Sequence, residues 1–189
     1  MIEILDLDKV KNSLLVLKEN RLRDVEKYLI IMDGFHKCNV AHDLEYQKRY
    51  KGFYRVRRNQ EFCDVYFAYM EKHKNESILF EDILNHIFLY TNRIEPSFSS
   101  KMLATINPAM PVWDRYVLSQ LSLSIPKYYQ DNRLQACIKT YNELVAWYSK
   151  YEKTQNAKDV IAIFKQVFPQ IKITDVKKID LALWSMGEK

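Results

Sequence analysis

The sequence predicts an all-α fold, and three observations carry that prediction. Only three glycines and five prolines occur in 189 residues, too few for the tight turns of a sandwich or barrel. Apolar residues recur three or four positions apart in segment after segment, which is the period of a helix with one buried face. Ser, Thr, Asp or Asn precedes several of those segments, where a side-chain oxygen can accept from the orphan N–H groups of a first turn. Hydrophobic residues make up 48% of the chain, enough for one sizeable core. A single helical domain over residues 1–189 is therefore expected, with room for two lobes: one of about residues 60–125 and one formed by the terminal helices.

The first helix is expected over residues 7–19, from Val10, Leu14 and Leu17 with Asp6 and Asp8 at its start, and Asn20 is placed to break it. Residues 23–32 continue through Val25, Leu29 and Met32 until Asp33-Gly34 closes the helix as a C-cap, giving a helical hairpin. Residues 35–43 are irregular and hold His36, Cys38 and His42, which lack a fourth ligand and match no zinc-finger spacing. No metal site is expected there.

Residues 45–58, EYQKRYKGFYRVRR, place Lys48, Arg49, Lys51, Arg55, Arg57 and Arg58 between Tyr46, Tyr50, Phe53 and Tyr54, and residues 53–56 fit a short strand. Cations that neutralise phosphates and rings that stack on bases are both present. The competing reading is a solvated loop whose tyrosines pack inward while its arginines pair with Glu45 and Glu61. Asn59 then caps a helix through Phe62, Val65, Tyr66, Tyr69 and Met70, an aromatic stripe suited to a core. After a polar link over 72–77, Ser77 opens a helix whose Ile78, Leu79, Ile83, Leu84, Ile87 and Phe88 form a broad apolar face and predict a central position.

Residues 93–121 are the densest in chemistry. Ser97, Ser99 and Ser100 precede Met102, Leu103 and Ile106, so a helix is expected to begin near Ser99 and to end at Asn107-Pro108. Residues 110–113 return as extended chain, and Asp114 opens a second helix through Tyr116, Val117, Leu118 and Leu121. The first helix rises about 10 Å and an extended return covers a similar length, which puts Lys101 within reach of Asp114. A cation in a first helical turn opposes the macrodipole. The same field favours a bound phosphate and pushes a lysine toward its nucleophilic form. The plainer reading makes Asp114 an N-cap and Lys101 a surface lysine.

The segment from Ser97 to Ala104, SFSSKMLA, resembles the hairpin and following helix of the helix-hairpin-helix DNA glycosylases, and Pro111 to Val117, PVWDRYV, resembles their Pro-Val-Asp-x-His-Val segment. Serines stand at both hairpin glycines, Trp113 separates the valine from the aspartate, and Tyr116 takes the histidine position. The resemblance implies a glycosylase-like helical fold with a degenerate hairpin, double-stranded DNA as partner and no cofactor. It also implies excision of a damaged base, with Lys101 attacking the sugar C1′ and Asp114 stabilising the cationic transition state. Ser97, Ser99 and Ser100 would then hold a phosphate together with the basic segment at Lys48, Arg49, Lys51, Arg55, Arg57 and Arg58. Trp113 and Tyr54 would stack on a base. Two other readings stand beside this one: an inactive relative of these enzymes, and a helical scaffold that binds a protein partner through exposed tyrosines.

Beyond that stretch, Ser124-Ile125-Pro126 turns the chain into a long helix over 131–152, through Leu134, Cys137, Ile138, Tyr141, Leu144, Val145 and Tyr148. Another spans 156–168 with Val160, Ile163, Phe164 and Val167 and stops at Pro169. Thr174 and Asp175 cap a last helix with Val176, Ile179, Leu183 and Trp184, closed by Gly187; Trp184 is expected to close the core against the central stretch.

Lys and Arg number 29 against 24 acids, a net charge of +5 that admits a polyanionic partner without requiring one. Cys38, Cys63 and Cys137 form no CxxC pair and leave one cysteine over, which predicts a reduced, cytoplasmic protein. No apolar run approaches a membrane span and the acidic start carries no signal-peptide pattern. Walker loops, GxSxG elbows, HExxH helices and the zinc-deaminase pattern are absent from the sequence.

Overall fold

The helical periodicity of the sequence becomes nine helices in the computed structural model, which describes residues 4–187; no strand forms among these residues. No described helix is long and apolar enough to cross a membrane. The chain divides into two compact units, one of Leu22–Asn107 and one of Met1–Arg21 with Pro108–Lys189. The stretch over 93–121 is thus split between them, with Lys101 in the first unit and Asp114 in the second.

The first two expected helices appear as α1 (Leu7–Phe35), two helical segments that meet at a kink with no connecting loop. Gly34 adopts no positive φ, so it does not close the second segment as the left-handed C-cap expected there. The break falls at Arg21, whose φ of −141° and ψ of 24° leave the helical region, one residue after Asn20. The unit boundary lies at the same place.

In the unit Leu22–Asn107, α2 (Leu44–Tyr54) begins where the Asp43 carboxylate accepts from the Tyr46 N–H at 2.9 Å. It runs through residues 53–54, where a short strand fitted the sequence, because Tyr46, Tyr50 and Tyr54 stand four residues apart and bury as one stripe. Asn59 caps α3 (Gln60–Lys72) as expected, accepting from the Phe62 N–H at 3.2 Å. The rings of α2 and α3 meet through hydroxyls: Tyr66 donates to the Phe98 carbonyl at 2.9 Å and shares a 2.8 Å bond with Tyr50. Burial drives both phenols well above their ordinary pKa.

The irregular segment before α2 is pinned by a buried ion pair. Lys74 donates to the Cys38 carbonyl at 2.6 Å and pairs with Glu71 at 2.6 Å, while Glu71 accepts from the Val40 N–H at 2.7 Å. Helix α4 (Phe80–Thr91) starts three residues later than Ser77, with the Asp82 carboxylate accepting from the Leu79 N–H at 3.0 Å. Its Ile83, Leu84 and Ile87 are fully buried, each stabilising by about 1.5–3 kcal/mol. The expected central position holds for that face alone, since Phe88, Leu89 and Tyr90 are exposed. Helix α5 (Pro96–Ile106) packs on α4.

The second unit joins the first part of α1 to α6 (Arg115–Gln120), α7 (Arg133–Tyr151), α8 (Gln155–Val167) and α9 (Asp175–Gly187). The hydroxyls of Thr154 and Thr174 accept from the Ala157 and Lys177 N–H groups at 3.1 and 3.2 Å and so start α8 and α9. Asn156 clamps the Leu5 peptide on both sides, accepting from its N–H at 2.9 Å and donating to its carbonyl at 3.0 Å. Gly187 is the last residue of α9 and has no positive φ, so it is not the left-handed terminator expected. It permits close approach instead, because a Cβ there would lie 2.7 Å from the Tyr116 Cβ of α6. Trp184 is half-buried, with the Arg21 guanidinium 4.7 Å from its ring centre.

Candidate functional site

Proline decides where the serines of the central stretch fall. Pro96 fits the first helical position, where a missing N–H goes unnoticed, so α5 begins three residues before Ser99. Residues 97–101 are therefore helical and form no hairpin turn. Ser99 donates its hydroxyl to the Glu95 carbonyl at 3.0 Å, and Ser100 to the Ser97 carbonyl at 3.0 Å. Both are 0% exposed. Hydroxyls folded back on their own helix and shut from water do not meet a phosphate, which corrects the role expected for Ser99 and Ser100. Ser97 remains half-buried in the first turn.

Lys101 is also oriented by this earlier start. Its ammonium donates to the Tyr54 carbonyl at 3.3 Å and lies 5.8 and 5.3 Å from the ring centres of Tyr54 and Phe98. Tyr54 is the last residue of α2, so the lysine meets the negative end of a helix and two ring faces, all of which attract a cation. The expected setting was the opposite one, a positive N-terminal field. Beside it, Arg58 grips Glu95 through Nε at 2.9 Å and a terminal nitrogen at 2.7 Å, with its guanidinium 5.2 Å from the centre of the Phe98 ring. Phe98 is thus flanked by two cations that tie α5 to the segment after α2.

The basic segment itself sorts by face. On α2 the tyrosine stripe points inward, and Tyr54 is only 6% exposed, so this ring is not available to stack on a base. Lys48 and Lys51 stand three residues apart on α2 outside that stripe, and Arg55 and Arg57 follow in the segment after it. Lys48, Arg55 and Arg57 are exposed, Lys51 is half-buried, and no carboxylate lies within 4 Å of any of the four among the described residues. Arg49 pairs with Glu45 at 3.1 Å and Arg58 with Glu95 at 2.7 Å. Residues 45–58 contain six cations and one acid, so this one segment equals the chain's whole net charge of +5. Arg55 is held in the left-handed conformation, φ 54° and ψ 42°, as the cap of α2.

In the other unit, Asp114 accepts from the Tyr116 N–H at 2.8 Å and caps α6. The extended chain before it is anchored at its carbonyls: Tyr141 donates to Pro111 at 2.9 Å and Thr174 to Pro108 at 2.7 Å. Trp113 is 4% exposed and fills the core of this unit, so it too is corrected as a base-stacking candidate.

No protein-family model, curated protein or solved structure matches this chain.

His36, Cys38 and His42 do not converge. The Cys38 thiol donates to the Gly34 carbonyl at 3.6 Å and is pushed up by burial and by Asp43, while the His36 ring packs edge-on against Phe35 at 4.8 Å. Two features went unread in the sequence. One is a buried polar group in which Asp180 accepts from Lys177 at 2.6 Å and from Tyr148 at 3.5 Å. Its signal was an acid four residues after Val176, on the apolar stripe of α9. The other is the pair Tyr128 and Tyr129, 75% and 92% exposed, which no helical period predicted to be buried.

Proposed function

We propose that the protein binds the phosphate backbone of double-stranded DNA through Lys48, Lys51, Arg55 and Arg57, and that it does so without excising a base. The observation that carries this reading is the run of cations along α2 and just after it, beside a buried tyrosine stripe and with no carboxylate within 4 Å of these four among the described residues. With the rings of α2 turned inward, this segment offers charge and no stacking platform, which suits the backbone of a duplex better than unpaired bases. From residue 48 to residue 54 α2 rises about 9 Å, the span of about two to three phosphates along one strand. Lys101, engaged by the end of α2 and by two rings, supports an anchoring role for this lysine in the fold.

A titration of short duplex DNA at about 50 and 200 mM salt tests the proposal. Affinity is expected to fall steeply with salt, and the triple variant Lys48→Gln, Arg55→Gln, Arg57→Gln to lower the slope of log K against log salt by about 2.7. A wild-type slope near zero, or a triple variant with an unchanged slope, rules the stripe out.

A further inference from the structure

Tyr128 and Tyr129 occupy the middle of a turn closed by the Gln130 N–H donating to the Lys127 carbonyl at 3.1 Å. Turn centres ordinarily take Gly, Pro, Asn, Asp or Ser, so two large rings here depart from the local rule without the compensation of burial. Departures of that kind concentrate at functional positions. The tip is also held in place. Pro126 stiffens its approach, the Thr140 hydroxyl of α7 donates to the Ser124 carbonyl at 3.4 Å, and Asn132 leaves it in the left-handed conformation at φ 57°.

The two rings meet edge to face, 5.1 Å apart at 85°, and Tyr129 is left 92% exposed. Arg133 lies with its guanidinium 5.3 Å from the centre of the Tyr128 ring, and Lys127 is exposed beside it. Asp131 is the one acid between them, which leaves residues 127–133 with one net positive charge. Open ring faces joined to cations form the combination that receives unpaired nucleobases and the phosphates linking them.

We propose that the turn at Tyr128-Tyr129 is a stacking site for unpaired nucleobases of a DNA strand, with Tyr129 as the platform, Tyr128 braced behind it by Arg133, and Lys127 facing the adjoining phosphate. This inference rests on the DNA-binding reading above and extends it to a second element that uses rings where α2 uses charge. The two are separable, because the stripe of α2 reads duplex phosphates and the turn reads bases that a duplex keeps paired.

The test compares wild type, the double variant Tyr128→Ala, Tyr129→Ala and the double variant Tyr128→Phe, Tyr129→Phe by fluorescence anisotropy. Each is titrated with an oligothymidine strand and with a duplex. The alanine pair is expected to weaken single-strand binding about tenfold to a hundredfold and to leave duplex binding unchanged, while the phenylalanine pair keeps wild-type affinity because stacking uses the ring and not the hydroxyl. Both residues lie on the surface, and an unchanged helical circular dichroism spectrum reports an intact fold in each variant. Equal single-strand affinity of wild type and the alanine pair overturns the stacking site while a steep duplex salt slope still stands. Binding of neither DNA form by wild type overturns both readings.

Discussion

A single side chain shows how far chemistry depends on where its helix begins. Ser97, Ser99, Ser100 and Lys101 carry the same atoms whether a helix starts before or after them, but Pro96 moves the start, and the serines then turn inward while the lysine turns to the end of α2. That shift was not legible in the sequence, because a hydroxyl serves equally well as an N-cap and as a donor to the preceding turn. The consequence for Lys101 is testable. Incubation with an abasic-site duplex and borohydride is expected to trap no covalent adduct, and Lys101→Met to lower stability by about 1 kcal/mol in denaturant titration. An adduct formed by wild type and lost in the variant would make Lys101 a nucleophile. A second residue carries a pH dependence. His86 stacks on Tyr69 at 3.8 Å and lies 4.5 Å from the Tyr90 ring centre, and burial, His73 and Lys72 lower its pKa from the ordinary 6.5. The folded state therefore binds this proton less readily than the unfolded chain. The stabilisation is complete above pH 6.5 and is lost as the pH falls through the depressed folded value. Melting temperature is expected to drop between about pH 7.5 and pH 5, and His86→Phe to flatten that drop; a parallel pair of curves excludes His86 as the cause.

At the scale of the element, α2 combines what the sequence left as alternatives. Its tyrosines pack inward, as the structural reading of residues 45–58 held, and its cations stay outside, as the nucleic-acid reading required. Two of the six, Arg49 and Arg58, found acids; Glu95, the partner of Arg58, lies far along the chain, where no local pattern signals it. Asp114 was read correctly as the start of a helix because an N-cap is a local signal. The end of α2 carries its own prediction. Arg55 holds a left-handed conformation that glycine reaches freely, at a cost for an L side chain of about 1 kcal/mol. Arg55→Gly is therefore expected to stabilise the protein by about 1 kcal/mol while lowering the salt slope of DNA binding by about 1. Loss of stability in denaturant titration would show that the arginine side chain contributes more to the fold than its backbone costs.

For the whole molecule, the all-α class was legible because it sums many weak local preferences over 189 residues. The division at Arg21 and Asn107 was not, since it depends on pairings remote in sequence, of which the Asn156 clamp on Leu5 is the plainest. Because the unit Leu22–Asn107 is continuous in sequence and owns the tyrosine core, a fragment of these residues is expected to melt cooperatively by circular dichroism; a gradual, featureless transition would show that its core depends on the rest of the chain. The other unit is discontinuous, and this has a consequence during synthesis on the ribosome. Residues 4–21 leave the exit tunnel before the rest of their unit, since the helices that cover Val10, Leu14 and Leu17 there follow Pro108. At 5–20 residues per second, translation of residues 22–156 takes roughly 7–27 s. For that interval this apolar stripe has no partner from its own unit, so the nascent chain presents it to whatever chaperone waits at the tunnel mouth, while the inserted unit can already be folding behind it.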